Sequence, residues 1–168
     1  MGTNPSALTL PPDRPLRVLF LCTGNSCRSQ MAEGWLRHLS GGRVEVASAG
    51  IETHGLNPRA VAVMAEAGVD ISHHASTRLT PDHLAWADLV VTVCGHADEH
   101  CPALPPGVAK RHWPLEDPAR ATGDEAAVAA VFRASRDAIR ERVERLVAEI
   151  EAARATPAEA PGPRKEQP

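Results

Sequence analysis

A short apolar run, Leu16-Arg17-Val18-Leu19-Phe20-Leu21, ends on Cys22-Thr23-Gly24-Asn25-Ser26-Cys27-Arg28-Ser29, and helical spacing begins at Ser29. No other feature constrains the fold as much, because strand, tight loop and helix follow one another without a spare residue. Such a unit belongs in an α/β sheet and carries its loop beyond the carboxyl edge of the strand, where ligands of such sheets bind. The small residues let the chain turn so that main-chain N–H groups point inward, and Arg28 opens the helix. A helix N-terminus and a guanidinium both favour negative charge, so they would hold Cys22 as thiolate. The same donors would grip a tetrahedral oxyanion in front of the sulfur, with Arg28 bidentate. These residues describe a nucleophile set in a phosphate-shaped cradle. The bland alternative, a buried structural cysteine, leaves the loop chemistry without a purpose.

Strand and helix alternate through the rest of the chain. Ser29–Leu39 reads as a helix ended by Gly41-Gly42, and Arg43–Ala47 as a second short strand closed by Ser48-Ala49-Gly50. Pro58 opens a helix through Ala67 that Gly68 terminates, and Asp70–Ala75 is irregular. Thr80-Pro81 starts a short helix to Ala87. Asp88–Val93 is a buried, β-branched strand, and Lys110–Trp113 is the last one. Thr122-Gly123-Asp124-Glu125 reads as a capping box opening a long final helix. On that helix Val128, Val131, Phe132, Ser135, Ile139, Arg142, Leu146 and Ile150 share a face directed at the sheet. The pattern predicts one domain, residues 15–153, built as a three-layer α/β/α sandwich around a small four-stranded parallel sheet. Residues 1–14 and 154–168, rich in Pro, Ala and charge, are expected to be disordered tails.

The 168 residues, 43% of them hydrophobic, suffice for one core. A net charge of −3 offers no basic footprint for nucleic acid. No stretch approaches the ~18 apolar residues of a membrane span, and the first fifteen residues do not read as a secretory signal. A cytoplasmic location is therefore expected. Four cysteines in such a setting point to catalysis or metal binding rather than to structural disulfides.

Topology brings further chemistry to the edge that carries Cys22. Cys94 ends the Asp88–Val93 strand, Cys101 follows seven residues later, and Asp117-Pro118 lies past the last strand. Cys94, His96, His100 and Cys101 offer a zinc donor set, although their order lacks a familiar spacing. Asp117 reads either as a general acid or as a plain turn carboxylate before Pro118. Cys27, at the helix start, reads as a packing residue.

Four motifs in order resemble the thioredoxin-coupled arsenate reductases, which share the fold of low-molecular-weight protein tyrosine phosphatases. They are Cys22–Ser29 with Gln30-Met31-Ala32-Glu33-Gly34-Trp35, then Ser48-Ala49-Gly50-Ile51-Glu52-Thr53-His54-Gly55. Val91-Thr92-Val93-Cys94 with Cys101-Pro102 comes next, and His112-Trp113 leading to Asp117-Pro118-Ala119 closes the set. The resemblance spans residues 16–150. It implies that Cys22 attacks arsenate while Arg28 and the amides of Thr23, Gly24, Asn25, Ser26, Cys27 and Arg28 hold its oxygens. Asn25 would lock the loop, Ser29 would donate to the Cys22 thiolate, and Asp117 would protonate the leaving oxygen. Cys94 and then Cys101 would carry the oxidation outward as a disulfide for thioredoxin to reduce. Phosphate and sulfate would act as substrate analogues, and weak phosphatase activity would accompany the reductase.

Some relatives hold potassium behind the loop. Asn25, Glu33 and Ser48 match those positions, but Thr77 stands where an aspartate would complete the site, so no bound cofactor or metal is expected. A monomer is expected, since the site needs no second subunit. Two rivals stand beside this reading. A tyrosine phosphatase would use Cys22, Arg28 and Asp117 alone, yet Ala119-Arg120 replace its aromatic residues and it needs neither Cys94 nor Cys101. A redox or metal-sensing module built on Cys94–Cys101 would not need Cys22. A reductase coupled to a low-molecular-weight thiol is a closer variant, and the Cys94–Cys101 spacing favours thioredoxin.

Overall fold

The computed structural model describes residues 8–155. The apolar run ahead of the cysteine loop forms β1 (Arg17–Cys22), and the chain turns through bends into α1 (Arg28–Leu39). Next come β2 (Glu45–Gly50), α2 (Pro58–Glu66), α3 (Pro81–Trp86) and β3 (Leu89–Thr92). After them lie α4 (Gly95–Glu99), β4 (Ala109–His112), a 3-10 turn at Pro118–Arg120 and α5 (Glu125–Ala155). All pairings are parallel and the strand order is β2-β1-β3-β4. The architecture is a single α/β domain around the small four-stranded parallel sheet that the alternating pattern predicts.

β1 and β3 are buried almost throughout, as strands covered on both faces must be. α1, α2 and α5 pack on one another, while α3 and α4 lie against β1. Trp35 of α1 is 1% exposed and donates its indole N–H to Arg136 O of α5 at 3.1 Å, so the large ring is buried with its polar atom satisfied.

Several boundaries differ from expectation for physical reasons. β2 runs 45–50 rather than 43–47, because Ala47 to Gly50 pair in register with Leu19 to Cys22 although their small side chains read as a turn. β1, β3 and β4 shift by a residue at their ends. α4 is a helix beyond those the pattern predicts. The final helix is capped by Asp124, whose Oδ1 accepts the Ala127 N–H at 2.8 Å, rather than by a box starting at Thr122. Its apolar face includes Val143 in place of Arg142, and Val131 points outward with 42% exposure.

Of the expected tails, residues 1–7 and 156–168 lie outside the described residues. Within them, Leu8 and Leu10 pack on the core, and Arg14 pairs through both terminal nitrogens with Asp88 at 2.7 and 2.9 Å. The stretch just ahead of β1 is therefore tied to the start of β3.

Candidate active site

The site grows out of the point where β1 has its successor β2 on one side and β3 on the other, the crevice at which open parallel sheets bind ligands. Register does the placing. Leu21 pairs with Thr92 and Val93 N–H donates to Leu21 O, so the loop after β1 runs level with Cys94 after β3.

The loop is held from outside by its carbonyls. Ile51, Glu52, His54 and Asn57 donate their N–H groups to the carbonyls of Cys22, Thr23, Gly24 and Ser26 at 2.9–3.1 Å. With these oxygens turned outward, the intervening N–H groups turn inward, which makes a concave anion seat. Asn25 takes the left-handed conformation the turn requires, φ 50°, which Asn tolerates better than most residues. Two glycines allow the close approach: a Cβ on Gly24 would lie 2.3 Å from His54 Nδ1, and one on Gly50 would lie 2.3 Å from Glu52 O and 2.8 Å from Asn25 N.

A buried polar chain backs Cys22. Cys22 Sγ lies 3.0 Å from Ser29 Oγ, and Asn25 Nδ2 donates to Ser29 Oγ at 2.7 Å and to Ser48 Oγ at 2.9 Å. Ser48 donates to Glu33 Oε1, whose other oxygen accepts from Arg37, both at 2.6 Å. Since the amide nitrogen can only donate, Ser29 accepts from it and keeps its own hydrogen for the sulfur. Gln30 and His74 brace the same side: Gln30 Nε2 lies 3.1 Å from Asn25 Oδ1, and Gln30 Oε1 lies 2.9 Å from His74 Nδ1. Burial pushes the His74 imidazole below its ordinary value.

A cavity of about 670 Å³ opens over the loop and is lined by Cys22, Arg28, Cys94, Asp117, Arg120 and His54 among others. Arg28 Nη1 donates to Leu115 O at 2.9 Å and Nη2 lies 3.6 Å from Asp117 Oδ2, which leaves further N–H groups of the fork for a ligand. Asp117 also caps the 3-10 turn, its Oδ1 accepting Ala119 N–H at 3.0 Å, so its turn role and its place at the cavity coexist. Thr23 Oγ1 lies 3.1 Å from Cys94 Sγ, and Ala97 N–H points at the same sulfur at 3.4 Å.

The four thiols are free and differ sharply in setting. Cys22, Cys27 and Cys94 line the cavity, whereas Cys101 is half-buried after α4 and burial pushes its thiol up. Burial, aided by the charge of Asp117, pushes Cys27 up to about 12. His96 and His100 stack on each other along α4 at 4.2 Å, and among the described residues no three metal-ligating side chains converge. Nor is any described helix long and apolar enough to cross a membrane.

Sequence reasoning brought Cys22, Arg28, Cys94 and Asp117 to one edge, and the structure places them on one cavity. It missed the Thr23–Cys94 contact, the Gln30–His74 brace and α4, none of which has a local signature.

Comparison with known proteins adds ancestry. A family model described as low molecular weight phosphotyrosine protein phosphatase matches residues 17–156. The chain is 55% identical to an arsenate reductase of Bacillus licheniformis over 128 residues, 76% of this chain and 92% of that protein. Among solved structures it resembles an arsenate reductase in the phosphate-binding state, with 37% identity, a TM-score of 0.66, and coverage of 80% of this chain and 98% of that one. It also resembles a thioredoxin-dependent arsenate reductase of Corynebacterium glutamicum, with 30% identity, a TM-score of 0.69, and coverage of 84% and 64%.

Proposed function

We propose that this chain, which belongs to the low molecular weight phosphotyrosine protein phosphatase family and within it to the arsenate reductases, reduces arsenate to arsenite by a relay of Cys22, Cys94 and Cys101. The observation that carries the relay is Cys94 facing the Cys22 cavity with its sulfur 3.1 Å from the Thr23 hydroxyl. Ester hydrolysis needs one nucleophile; a second thiol on the same cavity suits electron transfer.

Arsenate seats with its oxygens on the loop N–H groups and on Arg28, where added negative charge is stabilised by donors already in place. The Cys22 thiolate attacks arsenic, and an oxygen leaves as water after taking a proton from Asp117. The Cys94 thiolate then attacks the Cys22 sulfur. The S–As bond breaks, its electron pair stays with arsenic, and arsenite departs as a Cys22–Cys94 disulfide forms. Cys101 attacks Cys94 next, releasing Cys22 as thiolate and leaving a Cys94–Cys101 disulfide. Thioredoxin returns both sulfurs to thiols by donating two electrons and two protons. Thr23 donates to Cys94 as it ionises, and Ser29 does the same for Cys22.

Phosphate and sulfate share the shape and charge of arsenate and compete for the loop, and slow hydrolysis of small phosphate esters is an expected by-product. No bound ion or cofactor enters the cycle. Asn25 Oδ1 already accepts from Gln30 and from Thr77 N–H at 2.8 Å, and Glu33 is paired with Arg37, so the donors that would surround potassium are engaged. The enzyme works as a monomer in the reducing cytoplasm, where its thiols stay free.

The test is NADPH consumption with thioredoxin, thioredoxin reductase and arsenate. Wild type should turn over, and Cys22→Ser, Cys94→Ser and Cys101→Ser should each fall to the enzyme-free rate. Phosphotyrosine hydrolysis that needs only Cys22, without arsenate turnover, would overturn the proposal in favour of a phosphatase.

A further inference from the structure

The third step has a geometric obstacle. Helix α4 occupies most of the path from Cys94 to Cys101. A helical path over those seven steps advances about 10 Å, whereas a disulfide holds its Cα atoms within about 4.4–6.8 Å. Closing the bond requires α4 to give up its turn, including the Asp98 N–H to Cys94 O bond of 3.0 Å.

One side chain ties that helix to the sheet. Asp98 Oδ1 accepts from Thr92 Oγ1 at the end of β3, 3.0 Å, and from Lys110 Nζ on β4, 2.8 Å. Lys110 Nζ also lies 3.4 Å from Asp98 O. His112 Nδ1 stands 2.8 Å from Thr92 Oγ1 and 3.9 Å from the carboxylate. Thr92 has one hydroxyl hydrogen, and the Asp98 carboxylate at 3.0 Å is a nearer acceptor than Arg111 O at 3.4 Å, so that hydrogen goes to Asp98 and His112 Nδ1–H donates to Thr92. Thr92 is fully buried, so the polarity of this group is set where water cannot replace a lost partner.

We propose that Asp98 is a positioning residue that latches α4 to Thr92 and Lys110 in the dithiol form, and that its release gates closure of the Cys94–Cys101 disulfide. The inference rests on the three-thiol reading. In the gated step the Cys101 proton goes to solvent, its sulfur bonds to Cys94, and the Cys94–Cys22 bond breaks with Cys22 leaving as thiolate; no further oxidant is needed. Bonds made only by the helical, dithiol form make that form harder to oxidise. Cutting the latch therefore drives the pair toward the disulfide and speeds closure.

The test uses the full chain carrying Cys22→Ser, so that Cys94 and Cys101 exchange with a glutathione buffer without the nucleophile. Adding Asp98→Ala should shift the dithiol–disulfide equilibrium toward disulfide by about tenfold, about 30 mV for two electrons. Lys110→Met should move it in the same direction. The melting temperature should fall in the dithiol form and hold in the disulfide form, whereas a merely structural carboxylate would lower both. A disulfide that forms in the parent with an equilibrium unchanged by Asp98→Ala overturns the latch alone. A parent that forms no Cys94–Cys101 disulfide overturns the latch and the three-thiol relay together.

Discussion

Cys22 and Cys27 sit five residues apart in one loop, and both are buried against the same cavity. Cys22 has the Ser29 hydroxyl 3.0 Å from its sulfur, while burial and the charge of Asp117 push the Cys27 thiol up to about 12. A thiol that far above neutrality holds almost no thiolate, and the thiolate is the reactive form. Iodoacetamide at pH 8 should therefore label Cys22 and leave Cys27 intact in the native protein, as peptide mass spectrometry would show. Labelling of Cys27 ahead of Cys22 would contradict the assignment of roles. Asn25 is the other residue whose environment decides its use: its left-handed backbone suits the turn, and its amide points the Ser29 hydroxyl at the Cys22 sulfur.

At the scale of elements, the loop depends on the strand beside it and on the helix behind it. Gly50 ends β2 against the loop backbone, where any Cβ would meet main-chain atoms that cannot move aside. Gly50→Ala should cost about 1–3 kcal/mol, the range of overpacking, visible as a lower melting temperature, and it should lower turnover by displacing Asn25. α1 carries Glu33 and Arg37 one turn apart, so the helix supplies its own cation to the carboxylate that steadies Ser48. Turnover in potassium and in sodium at equal ionic strength should agree within about twofold; a strong potassium requirement would show that Arg37 does not fill that place. α4 carried no readable signal, because its five residues begin with glycine and are too few to display a helical period.

Across the whole molecule, Asp88 joins the chain ahead of β1 to the start of β3. Arg14 holds the Asp88 carboxyl below the usual carboxylate range, with Arg17 N–H adding a bond of 2.9 Å. The folded value is depressed, so the stability this group adds is present above about pH 4 and is lost as pH falls through the folded value. Asp88→Asn should lower the melting temperature at pH 7 by about 2–4 °C, and the two proteins should converge once the pH falls below the depressed folded value. A difference that persists in acid would mean that packing, not charge, ties residues 8–14 to the sheet.

The sequence by itself determined the order of the strands and of every helix but α4, the parallel sheet, and the strand–loop–helix setting of Cys22 to Ser29. Hydrophobic period, caps and small-residue turns are local, and each is written within a few neighbouring residues. Tertiary structure decided the extent of β2, the exposure of Val131, the pairing of Arg28 with Leu115 O, the Thr23–Cys94 contact and the anchoring of Asp98. Each of these joins residues far apart in the chain at distances set by strand register and helix packing. Register follows from which strands pair and how the core closes, so it is fixed by the whole fold rather than by any stretch of it.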